Sequence, residues 1–332
     1  MLRHWEFAGW VAGALVISGV LAAWLFRRQW KVGGGLRTAA VGATLSILTT
    51  GMSYLAAECW FVGGHDQSDG YLQTLAGKRW FSRHWNPINS LGYRDREHDF
   101  NGKSPLLFVG DSFVAGHGTR DIDDRMAGVL QARLGADWEV AVIAQNGWNP
   151  VQELEALRAF PATPDRIVVS YYINDIESAA IALGNPPPTV RVQHPPEPVR
   201  WLTSRSHFAN WFYWRVVRGQ FGTVYWDWLK DAYDDEATLE HHGEELQGFL
   251  DYAAETGAEI AFLVWPNLDY VEGSRSYTGR VTDMLVSRGA LAIDLGEHFR
   301  GRDERTLVVN PMDGHPNPNT QAEAINLLVE AW

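Results

Sequence analysis

The chain opens with two apolar runs, and its hydropathy pattern changes character after them. Ala8 to Phe26 is a 19-residue stretch without a charge, and Thr38 to Ala57 is another of 20. Each is long enough to cross a hydrocarbon core of about 30 Å. Trp5, Trp10, Trp24, Trp30 and Trp60 lie at or near the ends, where indole rings favour the membrane–water interface. A signal peptide followed by a buried core helix is the alternative, but the first run is long for a signal core and lacks a cleavage site. The loop between the runs holds Arg27, Arg28, Lys31 and Arg37 and no acid, against Arg3 and Glu6 in the N-terminal tail. That bias predicts a transmembrane hairpin (spans 8–26 and 38–57 within residues 1–62) with its loop in the cytoplasm and both termini outside. The expected location is a cell membrane, of the bacterial inner-membrane kind, with the remainder of the chain on the periplasmic or extracellular side.

Beyond a polar connector at 63–104, short apolar runs alternate with amphipathic stretches. Strands are expected at Leu106–Val109, Trp138–Ile143, Arg166–Tyr172, Glu259–Trp265 and Leu291–Leu295. Helices are expected near Arg125–Leu134, Pro150–Phe160, Glu236–Ala254, Tyr277–Val286 and Thr320–Ala331. Strands alternating with helices imply right-handed crossovers and a mostly parallel sheet covered on both faces, a three-layer α/β sandwich. Residues 183–235 break the alternation. Pro186–Pro188, Pro195, Pro196 and Pro198 precede a dense run of Trp201, Phe208, Trp211, Phe212, Trp214, Phe221, Trp226 and Trp228. This stretch reads as an inserted helical pair whose aromatics pack on the domain, or as a lid or surface resting on a membrane or a glycan.

Composition narrows the classes. The 332 residues are 46% apolar, enough for a sizeable core. The net charge is −12; residues 1–62 hold five basic and two acidic residues, net +3, which leaves −15 for 63–332. An acidic exported part argues against nucleic acid as a partner. Cys59 stands alone, so no intrachain disulfide is possible. No zinc-type Cys/His spacing and no phosphate- or dinucleotide-binding glycine fingerprint occurs, and no cofactor or metal is expected.

The chemistry-bearing residues fall in order. Pro105-Leu-Leu-Phe-Val-Gly-Asp-Ser-Phe113 is an apolar strand broken at Gly110-Asp111, which delivers Ser112 at the carboxyl edge of a sheet. Gly147 follows in Gln145-Asn-Gly-Trp148, Asn174 in Tyr172-Ile-Asn-Asp175, and His315 in Met312-Asp-Gly-His-Pro-Asn317. Over residues 86–332 these four ordered blocks resemble the SGNH (GDSL-type) hydrolase superfamily. The resemblance implies a flavodoxin-like sandwich at 105–332, with Ser112 as nucleophile and His315 as base. It also implies an oxyanion hole from the backbone N–H groups of Ser112 and Gly147 and the Asn174 amide. The superfamily usually carries the orienting acid three residues before the histidine; here that residue is Met312, which cannot serve. Asp313 is the nearest carboxylate, giving an Asp-x-His variant similar to some bacterial polysaccharide O-acetylation proteins. Residues two apart in an extended segment face one side, so Asp313 can reach the imidazole.

Other residues have plainer readings. His117 is a competing base on the nucleophile's own loop, and Asp111 organises the turn through local backbone. Arg94, in Asn89-Ser-Leu-Gly-Tyr-Arg-Asp95, is expected to pair with a carboxylate that anchors this segment, or to touch an acidic substrate. His241 and His242 read as solvated on a polar helix. Together these features predict a membrane-anchored serine esterase acting on O-acyl, chiefly acetyl, esters of an envelope or extracellular glycan. An O-acyltransferase using the same triad and a non-catalytic scaffold on the same fold are the alternatives.

Overall fold

The computed structural model describes residues 5–27, 34–188, 195–197, 199–217 and 222–332. Arg3, Arg28, Trp30, Lys31, Pro198 and Phe221 lie outside the described residues. The N-terminal helices are α1 (Glu6–Arg27), α2 (Gly34–Gly63) and α3 (Leu75–His84). Next come β1 (Ser104–Gly110), α4 (Ser112–Ala115), α5 (Met126–Leu134), β2 (Trp138–Ala144), α6 (Pro150–Ala159), β3 (Arg166–Tyr172) and α7 (Glu177–Ala182). The central helices are α8 (Val199–Thr203), α9 (His207–Val217), α10 (Gly222–Asp234) and α11 (Glu236–Thr256). The chain ends with β4 (Glu259–Trp265), α12 (Val271–Ser287), β5 (Leu291–Asp294), α13 (Leu295–His298), β6 (Val308–Asn310), β7 (Asp313–Pro316) and α14 (Pro318–Ala331).

Two compact units form. One comprises Met1–Gln67, Leu72–Arg79 and Val192–Gly219, and the other Ser68–Tyr71, Trp80–Arg191 and Gln220–Trp332. The Pro- and Trp-rich stretch therefore divides: Trp226 and Trp228 pack on the sheet core, whereas α8 and α9 group with the N-terminal helices.

In the first unit, Glu6–Trp24 and Thr38–Gly63 have mean hydropathies of 1.8 and 1.3 and are long and apolar enough to cross a membrane. A helix leaves its first N–H and last C=O groups without intrahelical partners, and here side chains supply them. Glu58, fully buried on α2, accepts from His207 N (2.8 Å), Phe208 N (3.0 Å) and Ser206 Oγ (2.6 Å) and so caps α9. Arg79 donates to Phe61 O, Val62 O and His65 O at the end of α2. Asn210 Oδ1 accepts from Leu75 N at the start of α3. Phe61 against Trp211 and Tyr54 against Phe208 complete the packing.

In the second unit, five strands pair in parallel in the order β2-β1-β3-β4-β5. Alternate residues of each strand feed the two faces. Leu106, Phe108, Val168 and Leu263 meet residues of α5 and α14 on one side. Leu107, Val109, Val169 and Phe262 meet residues of α6 and α11 on the other. The sheet is buried on both faces, which is why its strands read as continuous apolar runs. A separate antiparallel ribbon pairs β6 with β7, Asn310 opposite Asp313. One expectation fails: His242 is fully buried, its ring nitrogens meeting Tyr171 OH (3.1 Å) and Glu245 (3.0 Å). Burial pushes its imidazole below the usual range.

Candidate active site

Winding reverses between β1 and β3, and in open α/β sheets such a switch point leaves a crevice beyond the strand carboxyl ends. Gly110, the last residue of β1, pairs with Ala144 of β2 and Ser170 of β3. Ser112, Gly147 and Asn174 follow these three adjacent strands, so all three stand at one edge. Ser112 opens α4, whose N-cap Asp111 accepts from Phe113 N at 2.9 Å. Asp111 thus shapes the turn, as its sequence suggested. Gly147 has φ 77°, and a Cβ there would meet nothing within 4 Å. Backbone conformation is what calls for glycine at this position. Asn174 lies in the 3-10 turn Ile173–Ile176 that ends β3.

The base arrives from the ribbon. Asp313 and His315 lie two apart on β7 and share one side of it. His315 Nε2 is 2.8 Å from Ser112 Oγ, and His315 Nδ1 is 2.5 Å from Asp313 Oδ1. Asp313 Oδ1 also accepts from His315 N at 3.2 Å. Gly118 passes so close that a Cβ would sit 3.0 Å from Asp313 Oδ2 and 2.4 Å from Val309 Cγ2.

Electrostatics separates the acids. Burial alone would raise the Asp313 carboxyl, but the adjacent His315 imidazole and the bond between them hold it below the usual carboxylate range. Burial raises Asp111, Glu153 and Asp175 instead. Asp111 adds to the shift at Glu153, and both add to the shift at Asp175. Neighbouring acids whose environments push their pKa values apart take different roles. Asp313 is the one suited to accept from Nδ1–H, which leaves Nε2 free to take a proton from Ser112.

His117, the competing base of the sequence, bonds Asn146 and not Ser112. It is buried, and its ring stacks on His315 with centroids 4.6 Å apart and planes 19° from parallel. Its Nδ1 lies 3.1 Å from the Asn146 amide nitrogen, next to Gly147. Burial, with His315 alongside, pushes its imidazole down to about 4, so it is neutral near pH 7. His117, Asp313 and His315 bring ligand atoms within 4.8 Å of one another. The lone pairs of stacked imidazoles run parallel instead of converging, so a ring would have to turn before an ion could be shared.

Beneath the turn, Arg94 is 1% exposed and donates to five backbone carbonyls: His84, Ala115, Gly116, Thr119 and Arg120. The carboxylate pairing expected of it is made by its neighbours, since Asp95 pairs with Arg125 and also accepts from Val142 N at 2.8 Å. Both terminal nitrogens are taken up by these carbonyls, and the group is buried, which leaves an acidic substrate no access to it.

No family model matches the chain, and no curated protein matches it. Solved structures similar to it include TesA, at 16% identity and TM-score 0.44, covering 69% of this chain and 97% of that one. A carbohydrate acetylesterase family member from Sinorhizobium meliloti follows at 14% and 0.39 (69% and 98%). A lipase/acylhydrolase from Enterococcus faecalis stands at 13% and 0.41 (69% and 94%).

Proposed function

We propose that the protein is a serine esterase of the SGNH type, held in a membrane by its N-terminal hairpin and acting outside the cytoplasm. The observation that carries this reading is the unbroken line Ser112–His315–Asp313, with Asp313 held toward ionisation while Asp111, Glu153 and Asp175 are pushed the other way. Ser112 Oγ attacks the acyl carbon as His315 Nε2 takes its proton. The alcohol leaves with that proton, and the acyl group stays on Ser112. Water then gives a proton to His315 and its oxygen to the acyl carbon, and the freed acid leaves while the proton returns to Ser112. Ser112 N–H, Gly147 N–H and the Asn174 amide are the donors for the oxyanion, each worth about 2.7–4 kcal/mol in a dry preorganised site.

The basic residues of the hairpin loop support a cytoplasmic loop and an exported catalytic part. The substrates then belong to the envelope or the medium, and O-acetylated glycans are the class proposed. Full-length protein in detergent should hydrolyse a chromogenic acetyl ester. A serine-directed phosphonate should label it, and Ser112→Ala should lose both properties while keeping its fold. A Ser112→Ala protein with most of its activity would defeat the assignment. Turnover that depends on an added sugar acceptor would move the reading to acyl transfer.

A further inference from the structure

Helix α9 leaves apolar side chains uncovered beside the exposed Arg215. Its inward side carries the polar His207 and Asn210 beside Trp214, all buried. Its outward side carries Phe212 and Val216, one turn apart and 57% and 56% exposed. A helix facing water normally turns its polar stripe outward. Phe212 and Val216 are therefore placed for an apolar medium, and α9 itself says which. Glu58 ties its N-terminus to the end of α2, and Trp201 on the preceding α8 meets Phe7 near the start of α1 at 6.4 Å. Residues 199–217 carry Arg200, Arg205 and Arg215 and no acid, in a chain of net charge −12. Arg205 lies over the exposed Trp201 ring at 5.0 Å.

We propose that α8 and α9 lie in the interfacial layer of a bilayer containing anionic lipid, with Phe212 and Val216 at the headgroup–acyl boundary. Aromatic rings beside arginines are the composition that this layer favours. Arg205 and Arg215 are placed to meet anionic headgroups, whereas Arg200 pairs with Glu197 at 3.4 Å. The helix is tied to the hairpin through Glu58, so this inference rests on the hairpin spanning the membrane. Glu58 caps α9 and so fixes it beside the second apolar helix. An interfacial helix needs such a tether to stay beside the spans.

The test uses full-length protein with Cys59→Ala, reconstituted in phosphatidylcholine–phosphatidylglycerol vesicles. An environment-sensitive fluorophore is placed on Phe212→Cys or Ile47→Cys, both at exposed positions. Lipids carrying a shallow or a deep nitroxide act as quenchers. The Phe212 probe should show blue-shifted emission and be quenched more by the shallow nitroxide, and the Ile47 probe more by the deep one. A water-like, unquenched Phe212 probe beside a deeply quenched Ile47 probe would overturn the inference and leave the hairpin standing. Two unquenched probes would remove the hairpin itself. A Phe212 probe shielded only at high protein-to-lipid ratio would assign the surface to a second copy and also overturn the inference.

Discussion

His117 stacks on His315 while its Nδ1 faces Asn146, so one neutral ring touches the base and steadies the loop that carries Gly147. Its effect on stability has a defined sign. An unfolded chain binds a proton at this histidine below 6.5, whereas the folded one resists protonation until about 4. Falling pH therefore favours unfolding between those values and leaves stability near pH 7 untouched. The gap corresponds to about 3 kcal/mol. Between pH 7 and pH 4, wild type should lose about 3 kcal/mol more than His117→Phe in denaturant titrations. Equal losses would show that His117 is not held neutral. The same variant should lower kcat more than it changes KM, since Asn146 loses an acceptor.

Asp313→Asn and Asp175→Asn should part widely. Loss of the orienting carboxylate costs about 10⁴ in kcat in comparable triads. Asp175 is buried, accepts from Tyr172 N at 2.9 Å and is pushed toward the neutral acid, which asparagine mimics. Its variant should stay within about tenfold, or about 1.4 kcal/mol. Steady-state rates on an acetyl ester decide, and the reverse order would transfer the orienting role to Asp175.

Arg94→Lys keeps the charge but not the fork that reaches five carbonyls. Buried carbonyls left unpaired cost about 1–3 kcal/mol each. A loss of about 3 kcal/mol or more is expected, lowering Tm by roughly 6 °C or more. An unchanged thermal scan would show that the clasp contributes little.

Glu153 is fully buried, and neither carboxyl oxygen finds a partner among the described residues. Glu153→Met should raise stability by about 1–3 kcal/mol, because an apolar group of similar size removes an unpaired buried acid. Its folded pKa is raised by burial and by Asp111. The unfolded chain alone loses the proton above 4.5, so the advantage of methionine should grow as pH rises past that value. Denaturation midpoints at pH 5 and pH 7 check this. A destabilised variant would mean that a bound water or ion satisfies the acid.

Much of the sheet unit was legible because its strands are buried on both faces. Arg166–Tyr172 and Glu259–Trp265 read directly from apolar runs, and α5, α6 and α14 differ from expectation by one or two residues. Ser112 and His315 were legible because the ordered blocks that hold them resemble a known family, whereas each block alone is a weak local signal. His117, Arg94 and His242 were not. Their partners stand far away in sequence, and a polar residue with buried partners has the same one-dimensional signature as a solvated one. The short ribbon β6–β7 escaped for a similar reason, since Asp-Gly-His-Pro carries no strand pattern of its own.

Glu58 and Ser206 are 148 residues apart. At about 5–20 residues per second of synthesis, roughly 7–30 seconds separate their appearance. Throughout that interval the second apolar helix carries an acid whose capping partners do not yet exist. The hairpin is therefore made early, and the contacts that satisfy Glu58 are completed late.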